Sequence, residues 1–148
     1  MGRSVAVALL VALLLGCSRT PRDPVQETVA GTVKAAQKRD ADAVAAFLAP
    51  GFRDTAGGDR DEAAATVRRY FAAYESLSLT VSNLVVERGA ASGQARFTVS
   101  MSGTPRAIGG LEGLLPRASR WHFDLRLEPG DGGWKITHAA WTRVEEEG

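Results

Sequence analysis

The stretch WHFDLRLEPGDGGWKIT, residues 121–137, carries the clearest structural signal in the chain. Its first seven residues alternate strictly between large apolar and polar side chains, which is the period of a strand with one buried face. ProGlyAspGlyGly (129–133) is typical of a turn, and a further strand is expected from Trp134 to Val144. The stretch therefore predicts an antiparallel hairpin. The residues expected on its buried face are Trp121, Phe123, Leu125 and Leu127, and those on its solvated convex face are His122, Asp124 and Arg126.

Two more strands are expected before this hairpin. Apolar and polar residues alternate from Leu77 to Val81, and the alternation breaks near Asn83, where a β-bulge is expected. A turn at 89–93 leads into a second alternating run from Ala95 to Met101. The sequence thus predicts a four-stranded, mainly antiparallel sheet with a long glycine-rich connection at 103–118.

The preceding half of the chain has a helical period instead. Asp23-Pro24 opens a first helix, Asp40–Ala49 fits a short second helix that Pro50-Gly51 stops, and Asp59 with Glu62 forms a capping-box pattern before a third. Three helices followed by a sheet predict an α+β domain. The third helix is expected to carry Val67, Tyr70, Phe71 and Tyr74. The side chains expected in the core are Phe47, Val67, Phe71, Phe97, Trp121, Phe123, Leu125, Trp134 and Ile136.

Two local features carry a resemblance to a known family. Ala49-Pro50-Gly51-Phe52 follows the short helix, and the last hairpin reads AspGlyGlyTrpLysIleThr (131–137). With this order of elements, residues 24–144 resemble the NTF2-like superfamily, which includes SnoaL-like domains. The resemblance implies three N-terminal helices packed on a curved sheet that forms a cone. A simple α/β roll outside the superfamily is the alternative.

The N-terminus predicts export and lipid attachment. Arg3 precedes an apolar run from Val5 to Leu15, which is shorter than a membrane span and matches the core of a secretory signal. Leu14-Leu15-Gly16-Cys17 then resembles the lipobox of bacterial lipoproteins, in which the cysteine receives a diacylglycerol and becomes the first residue. An ordinary signal peptide with an incidental cysteine is the alternative.

This resemblance divides the chain into a signal peptide (1–16), a tether (17–23), the domain (24–144) and an acidic tail (145–148). Two or more acyl chains give stable anchoring, so Cys17 is expected to hold the protein on the membrane at the cell envelope. Ser18, where an aspartate would favour inner-membrane retention, favours the outer membrane if the organism has two. In that case the domain faces the periplasm.

Composition excludes several classes of function. The 148 residues contain 18 basic and 17 acidic side chains, so no bulk charge attracts nucleic acid, which is not expected as a partner. The only cysteine is Cys17, so no disulfide framework is expected. Histidine and cysteine show no metal-ligand spacing, and no phosphate-binding loop is present, so neither a metal nor a cofactor is expected.

The residues expected to line a pocket inside the cone are Phe52, Tyr70, Tyr74, Phe97, Trp121 and His138. Strict alternation from Trp134 and Ile136 places His138 inward, which makes it the single candidate for acid–base chemistry. Strict alternation from Trp134 places Trp141 on the opposite face from Trp134 and Ile136. Trp141 therefore either lies on the outer face or marks a bulge.

Two functions follow. The first is a non-catalytic module that binds a small apolar ligand, or that assembles through its convex sheet face with a partner or as a homodimer. The second is a SnoaL-like isomerase, dehydratase or cyclase that acts on a small hydrophobic molecule with His138 as acid or base. The first is favoured, because no acidic residue shares an inward strand position with His138.

Overall fold

A computed structural model describes residues 23–107 and 113–145. These residues form three helices and five strands, which confirms the α+β class. In chain order the elements are α1 (Pro24–Gln37), α2 (Ala41–Ala46), β1 (Leu48–Asp54), α3 (Arg60–Ala72), β2 (Tyr74–Arg88), β3 (Gly93–Pro105), β4 (Ala118–Gly130) and β5 (Gly133–Arg143). The predicted signal peptide, Cys17 and most of the tether lie outside the described residues, as do 146–148 of the tail.

The sheet has the order β1-β5-β4-β3-β2 and is mixed. The four strands predicted from alternation pair antiparallel, as expected. The fifth strand, β1, pairs parallel with β5 at the sheet edge. It corrects the prediction that a helix runs to Ala49 and ends at Pro50-Gly51. Pro50 is tolerated in this strand because an edge strand leaves one row of backbone groups unpaired.

The helix caps form as the sequence predicts. The Asp23 carboxylate accepts hydrogen bonds from the backbone N–H groups of Val25 and Gln26 at the start of α1. Asp59 and Glu62 form the reciprocal capping box of α3. The third helix is shorter than expected, because Tyr74 leaves it and opens β2, where it pairs with Pro105. None of the side chains of α3 is fully buried.

Helix α1 crosses the sheet from one end to the other. At its first turn, Val25 lies against Gly93 of β3, where an added Cβ would come within 2.7 Å of the valine methyl group. Just after its last turn, the Arg39 guanidinium donates a hydrogen bond of 2.9 Å to the carbonyl of Tyr74. The helix therefore connects the hairpin end of β3 to the start of β2.

The core lies between α1, α3 and the face of the sheet toward the helices, called the inner face below. Of the predicted core residues, Phe97, Leu125 and Ile136 are buried. The others are only half-buried, namely Phe47, Val67, Phe71, Trp121, Phe123 and Trp134. These six side chains face the core as predicted, but they are less buried than predicted, because the helices cover only part of the inner face.

Candidate functional site

The inner face of the sheet divides into two parts with different exposure. The closed half is sealed by α1 and β1, and its side chains are at most 2% exposed: Val25, Val29, Phe52, Leu127 and Ile136. The open half lies toward the ends of β3 and β5, and its side chains are half-buried or exposed: Tyr70, Met101, Trp121, Phe123, Trp141 and Arg143. The open half is the candidate functional site.

A chain of aromatic rings crosses the open half. The rings of Phe97 and Phe123 stack with centroids 5.5 Å apart and planes inclined by 7°. Phe123 also contacts Trp141, at a centroid distance of 6.3 Å. Trp141 is 43% exposed although it lies on the inner face, directly across from Phe123 on the neighbouring strand. The result is a continuous aromatic surface that begins in the core and reaches solvent, with the Trp141 plane inclined by 32° to that of Phe123.

Two tyrosines border this surface. Their ring centroids are 5.2 Å apart. The Tyr70 hydroxyl contacts the Met101 sulfur at 3.1 Å, which places this ring over the open half. The Tyr74 hydroxyl donates a hydrogen bond of 2.7 Å to the carbonyl of Pro116 and therefore fixes one end of the β3–β4 connection. Of that connection, residues 108–112 lie outside the described residues.

The Tyr74 hydroxyl has an altered acidity. Burial raises the pKa of Tyr74 to about 12, and the adjacent Tyr70 hydroxyl acts in the same direction. The positive charge of Arg143 opposes this rise in pKa, so the guanidinium lies close enough to act on the phenol. Tyr74 is therefore a neutral hydrogen-bond donor at neutral pH rather than a base.

Arg143 is the charged group of the open half. It lies directly across from Trp121, at the last residue of β5. Within the part of the chain that the structure describes, its guanidinium forms no salt bridge and no side-chain hydrogen bond. Among the described residues, the aromatic surface thus ends at a guanidinium without an ion-pair partner.

A β-bulge at Thr137 overturns the predicted orientation of His138. Ile136 pairs with Leu127 and His138 pairs with Arg126, so Thr137 is an extra residue in β5. Beyond the bulge the alternation restarts with the opposite parity, which turns His138 to the outer face beside Arg126 and Arg53. The same bulge turns Trp141 inward. The bulge explains why strict alternation in the sequence placed Trp141 on the other face.

The other predicted pocket residues fall into two groups. Phe97, Trp121, Tyr70 and Tyr74 lie in or around the open half, and their role as a pocket lining stays a prediction. Phe52 is 1% exposed and lies within the main hydrophobic cluster. Trp141 and Arg143 were missed because the position of a bulge cannot be read from alternation alone. Met101 lies on the predicted inner face of β3 but was not singled out as a site residue.

The outer face is polar and its side chains are hydrogen-bonded. Thr98 is only 4% exposed, and its hydroxyl lies 2.9 Å from Nδ1 of His122. Gln94 donates a hydrogen bond of 2.8 Å to the carboxylate of Asp124. His122 and Asp124 are therefore hydrogen-bonded to neutral side chains of β3. His138 and Arg126 line a shallow groove of about 900 Å³ on this face.

The described ranges 23–107 and 113–145 lack two further features. No group of three or more His, Cys, Asp or Glu side chains could hold a metal ion there. None of the helices in those ranges has the length and apolar character needed to cross a bilayer.

The fold and sequence can now be compared with known proteins. The sequence pattern of the SnoaL-like domain matches residues 19–140. The chain belongs to the SnoaL-like domain family. No curated protein matches it.

Solved structures show the same fold at low identity. A proposed scytalone dehydratase from Novosphingobium aromaticivorans has a TM-score of 0.69 and 12% identity, over 95% of this chain and 89% of the other. A proposed NTF2-like dehydratase from Streptomyces avermitilis has a TM-score of 0.68 and 12% identity, over 82% and 95%. An NTF2-like protein from Cytophaga hutchinsonii has a TM-score of 0.62 and 13% identity, over 85% and 100%. A longer Bdellovibrio bacteriovorus protein is matched over 40% of its length.

These matches confirm that the SnoaL-like domain has the predicted NTF2-like architecture, with five strands rather than four.

Proposed function

We propose that this SnoaL-like domain is a non-catalytic binding module, held on the envelope membrane by a lipid on Cys17, and that its open half takes a small planar apolar ligand. One observation carries the binding site. Trp141 is 43% exposed on the inner face and continues a run of aromatic rings from the core. An exposed apolar patch of this kind is typical of a binding surface.

The geometry of the rings favours a flat ligand. Offset-stacked and tilted aromatic pairs contribute about 0.5–1.5 kcal/mol each beyond the area that they bury. Phe97 and Phe123 already form one stacked pair, and Trp141 leaves part of its indole surface without a neighbour. A planar ring system placed there would extend the series and remove the exposed indole surface from water.

The absence of an acid–base group on the central strands supports binding rather than catalysis. Strands β3, β4 and β5 place no carboxylate or imidazole on their inner faces. In the Asp54 carboxylate of β1, Oδ1 accepts hydrogen bonds from the backbone N–H groups of Ala56 and Gly58. The alternative of an enzyme with His138 as acid or base has no support, because His138 lies on the outer face.

A fluorescence titration tests the binding site. The full-length protein in lipid nanodiscs is titrated with 2-naphthalenemethanol, a neutral planar alcohol, with empty nanodiscs as the blank. We expect saturable binding, and Trp141→Ala is expected to weaken it at least about tenfold, roughly 1.4 kcal/mol. Trp134→Phe, at the other end of the sheet, is the matched control and should leave affinity unchanged. Equal affinity of Trp141→Ala and the parent would contradict the proposal.

The membrane attachment has its own support in the sequence and its own test. The run Val5–Leu15 followed by Gly16-Cys17 supports lipid attachment. Cys17→Ser is expected to abolish labelling with a radioactive fatty acid and to prevent signal cleavage, whereas Ser18→Ala, the neighbouring control, should label normally. Persistent labelling of Cys17→Ser would refute the lipid anchor and leave the binding site untouched.

A second copy remains the proposed partner of the outer face. Thr98, Ala140 and Thr142 lie on that face of the central strands, and such small side chains allow two sheets to approach closely. Light scattering over a range of concentrations tests it. A monomer at high concentration would rule the homodimer out.

A further inference from the structure

Arg143 sets a chemical requirement on the ligand of the open half. Its guanidinium stands at the end of an aromatic surface, across from Trp121, and has no partner of its own in the parts of the chain that are described. A neutral planar ligand would use the rings and leave this cation unused. The rings and the cation together form a site with one apolar end and one charged end.

We propose that the open half selects planar ring systems that carry a carboxylate, with Arg143 binding the carboxylate and Trp141 and Phe123 packing on the ring. This inference rests on the proposed function of the open half and names its ligand class. It makes Arg143 the residue that determines specificity.

The reach of the side chain supports this assignment. Residues directly opposite each other on antiparallel strands have their Cβ atoms about 4.5–5.5 Å apart, so the side chains of Arg143 and Trp121 leave neighbouring strands side by side on the inner face. Long arginine side chains commonly pack their stems on apolar surface and keep the charge at its edge. The influence of Arg143 on Tyr74 shows that its charge acts on groups at the border of the open half.

Local charges leave the cation available. Glu145 lies two residues beyond Arg143, is exposed, and makes no ion pair with it. Asp54, the carboxylate of β1, is held by backbone N–H groups of its own loop. Within the described chain the open half therefore has a positive group and no negative group that neutralises it by direct contact.

The guanidinium of Arg143 favours a carboxylate over a phosphate. One guanidinium can form two parallel hydrogen bonds with a carboxylate, and this matches one positive charge with one negative charge. A phosphate carries more charge and needs additional donors, and the Tyr74 hydroxyl at the border of the open half already donates its proton to the Pro116 carbonyl.

A pair of matched probes tests the inference. The full-length protein in nanodiscs is titrated with 2-naphthoic acid and with 2-naphthalenemethanol, which share the ring and differ in charge. The parent is expected to bind the acid at least about tenfold more tightly. Arg143→Met should remove this preference and leave affinity for the alcohol within about twofold, and Arg143→Lys should retain part of it. Arg53→Met, which removes the same charge from the outer face, should change neither affinity.

The outcomes separate this inference from the function on which it rests. Equal binding of acid and alcohol by the parent would overturn the carboxylate requirement while the binding site stands. An equal loss of affinity for both probes in Arg143→Met, with an unchanged melting temperature, would show that Arg143 serves general packing. That result would also overturn the carboxylate requirement. Failure of the parent to bind either probe would overturn the binding function and this inference together.

Discussion

The closed and open halves of the inner face are made by the same strands and by the same alternation of side chains, yet only one of them is core. In the closed half, Leu127 and Ile136 meet α1 and β1 and are excluded from water. In the open half, Trp121 and Trp141 follow the same strands, and the helices leave them half-buried or exposed. An apolar strand face therefore becomes core only where a second layer covers it.

The difference also depends on one residue. Thr137 separates the two halves on β5, and without an extra residue at that point Trp141 and Arg143 would face outward. The bulge thus places the exposed Trp141 ring and the Arg143 guanidinium on the open half. Bulges commonly redirect side chains near functional sites.

The two halves are compared most sharply by the free energy of unfolding that is lost when one aromatic ring is removed from each. Phe52→Ala, in the closed half, is expected to lower the free energy of unfolding by about 3–5 kcal/mol, because a packed aromatic side chain leaves a cavity. Trp141→Ala, in the open half, should cost less than about 1 kcal/mol, since much of its surface is already solvated. Urea denaturation measures both. Similar costs would show that the two halves do not differ in packing.

A smaller effect is expected from the polar contact that attaches α1 to the closed half. The Thr28 hydroxyl donates a hydrogen bond of 2.9 Å to the Trp134 carbonyl on β5, and Thr28 is 6% exposed. Thr28→Val should cost about 1–2 kcal/mol because the buried carbonyl loses its donor. Thr32→Val is the control: its hydroxyl bonds only within the helix, to the Thr28 carbonyl, so a cost below about 0.5 kcal/mol is expected. Equal stability of the two variants would show that the hydrogen bond from Thr28 to the Trp134 carbonyl does not stabilise the attachment of α1.

The stability of the domain should depend on pH through Tyr74, which lies at the border of the open half. The pKa of Tyr74 is about 12 in the folded domain, whereas an unfolded tyrosine titrates near 10. The folded state therefore retains the proton longer, and the stability that Tyr74 contributes is fully present below about pH 10 and is lost as the pH rises to about 12. Tyr74→Phe should lack this part of the alkaline decline in denaturation experiments. Parallel declines in both proteins would show that Tyr74 is not buried as described.

The smallest effect is expected on the outer face. His138→Ala should change stability by less than about 0.5 kcal/mol and should leave binding of 2-naphthoic acid unchanged, because the imidazole points away from the open half. The titration described above measures this directly. Loss of binding would place His138 at the site and reinstate the enzyme hypothesis.

Local patterns predicted much of this fold, and the errors have physical causes. The capping box of Asp59 and Glu62 and the bulge near Asn83 were both confirmed, since each has a local chemical signature; Asn83 adopts a positive φ of 56°. Strand β1 was missed because Pro50-Gly51 is typical of a helix stop, and only the parallel partner strand makes it a strand.

The site was harder to predict than the fold. Phe97 and Trp121 were placed correctly because the alternation of β3 and β4 is unbroken. His138 was misplaced and Trp141 left undecided because nothing in ThrHisAlaAla (137–140) marks the extra residue. The sequence could not identify Arg143 as a site residue, because the bulge decides which face of β5 its side chain lies on.

If Cys17 carries the proposed lipid, the direction of α1 determines from which side a ligand of the proposed site would arrive. Five residues separate Cys17 from Asp23, so an acyl chain on Cys17 would hold the first turn of α1 next to the lipid headgroups. The helix has 14 residues and rises about 21 Å over them at roughly 1.5 Å each, ending beside Tyr74 at the open half. The mouth of the site would then stand at the far side of the domain, open to the aqueous compartment, and a ligand would arrive from solution rather than by lateral diffusion out of the bilayer.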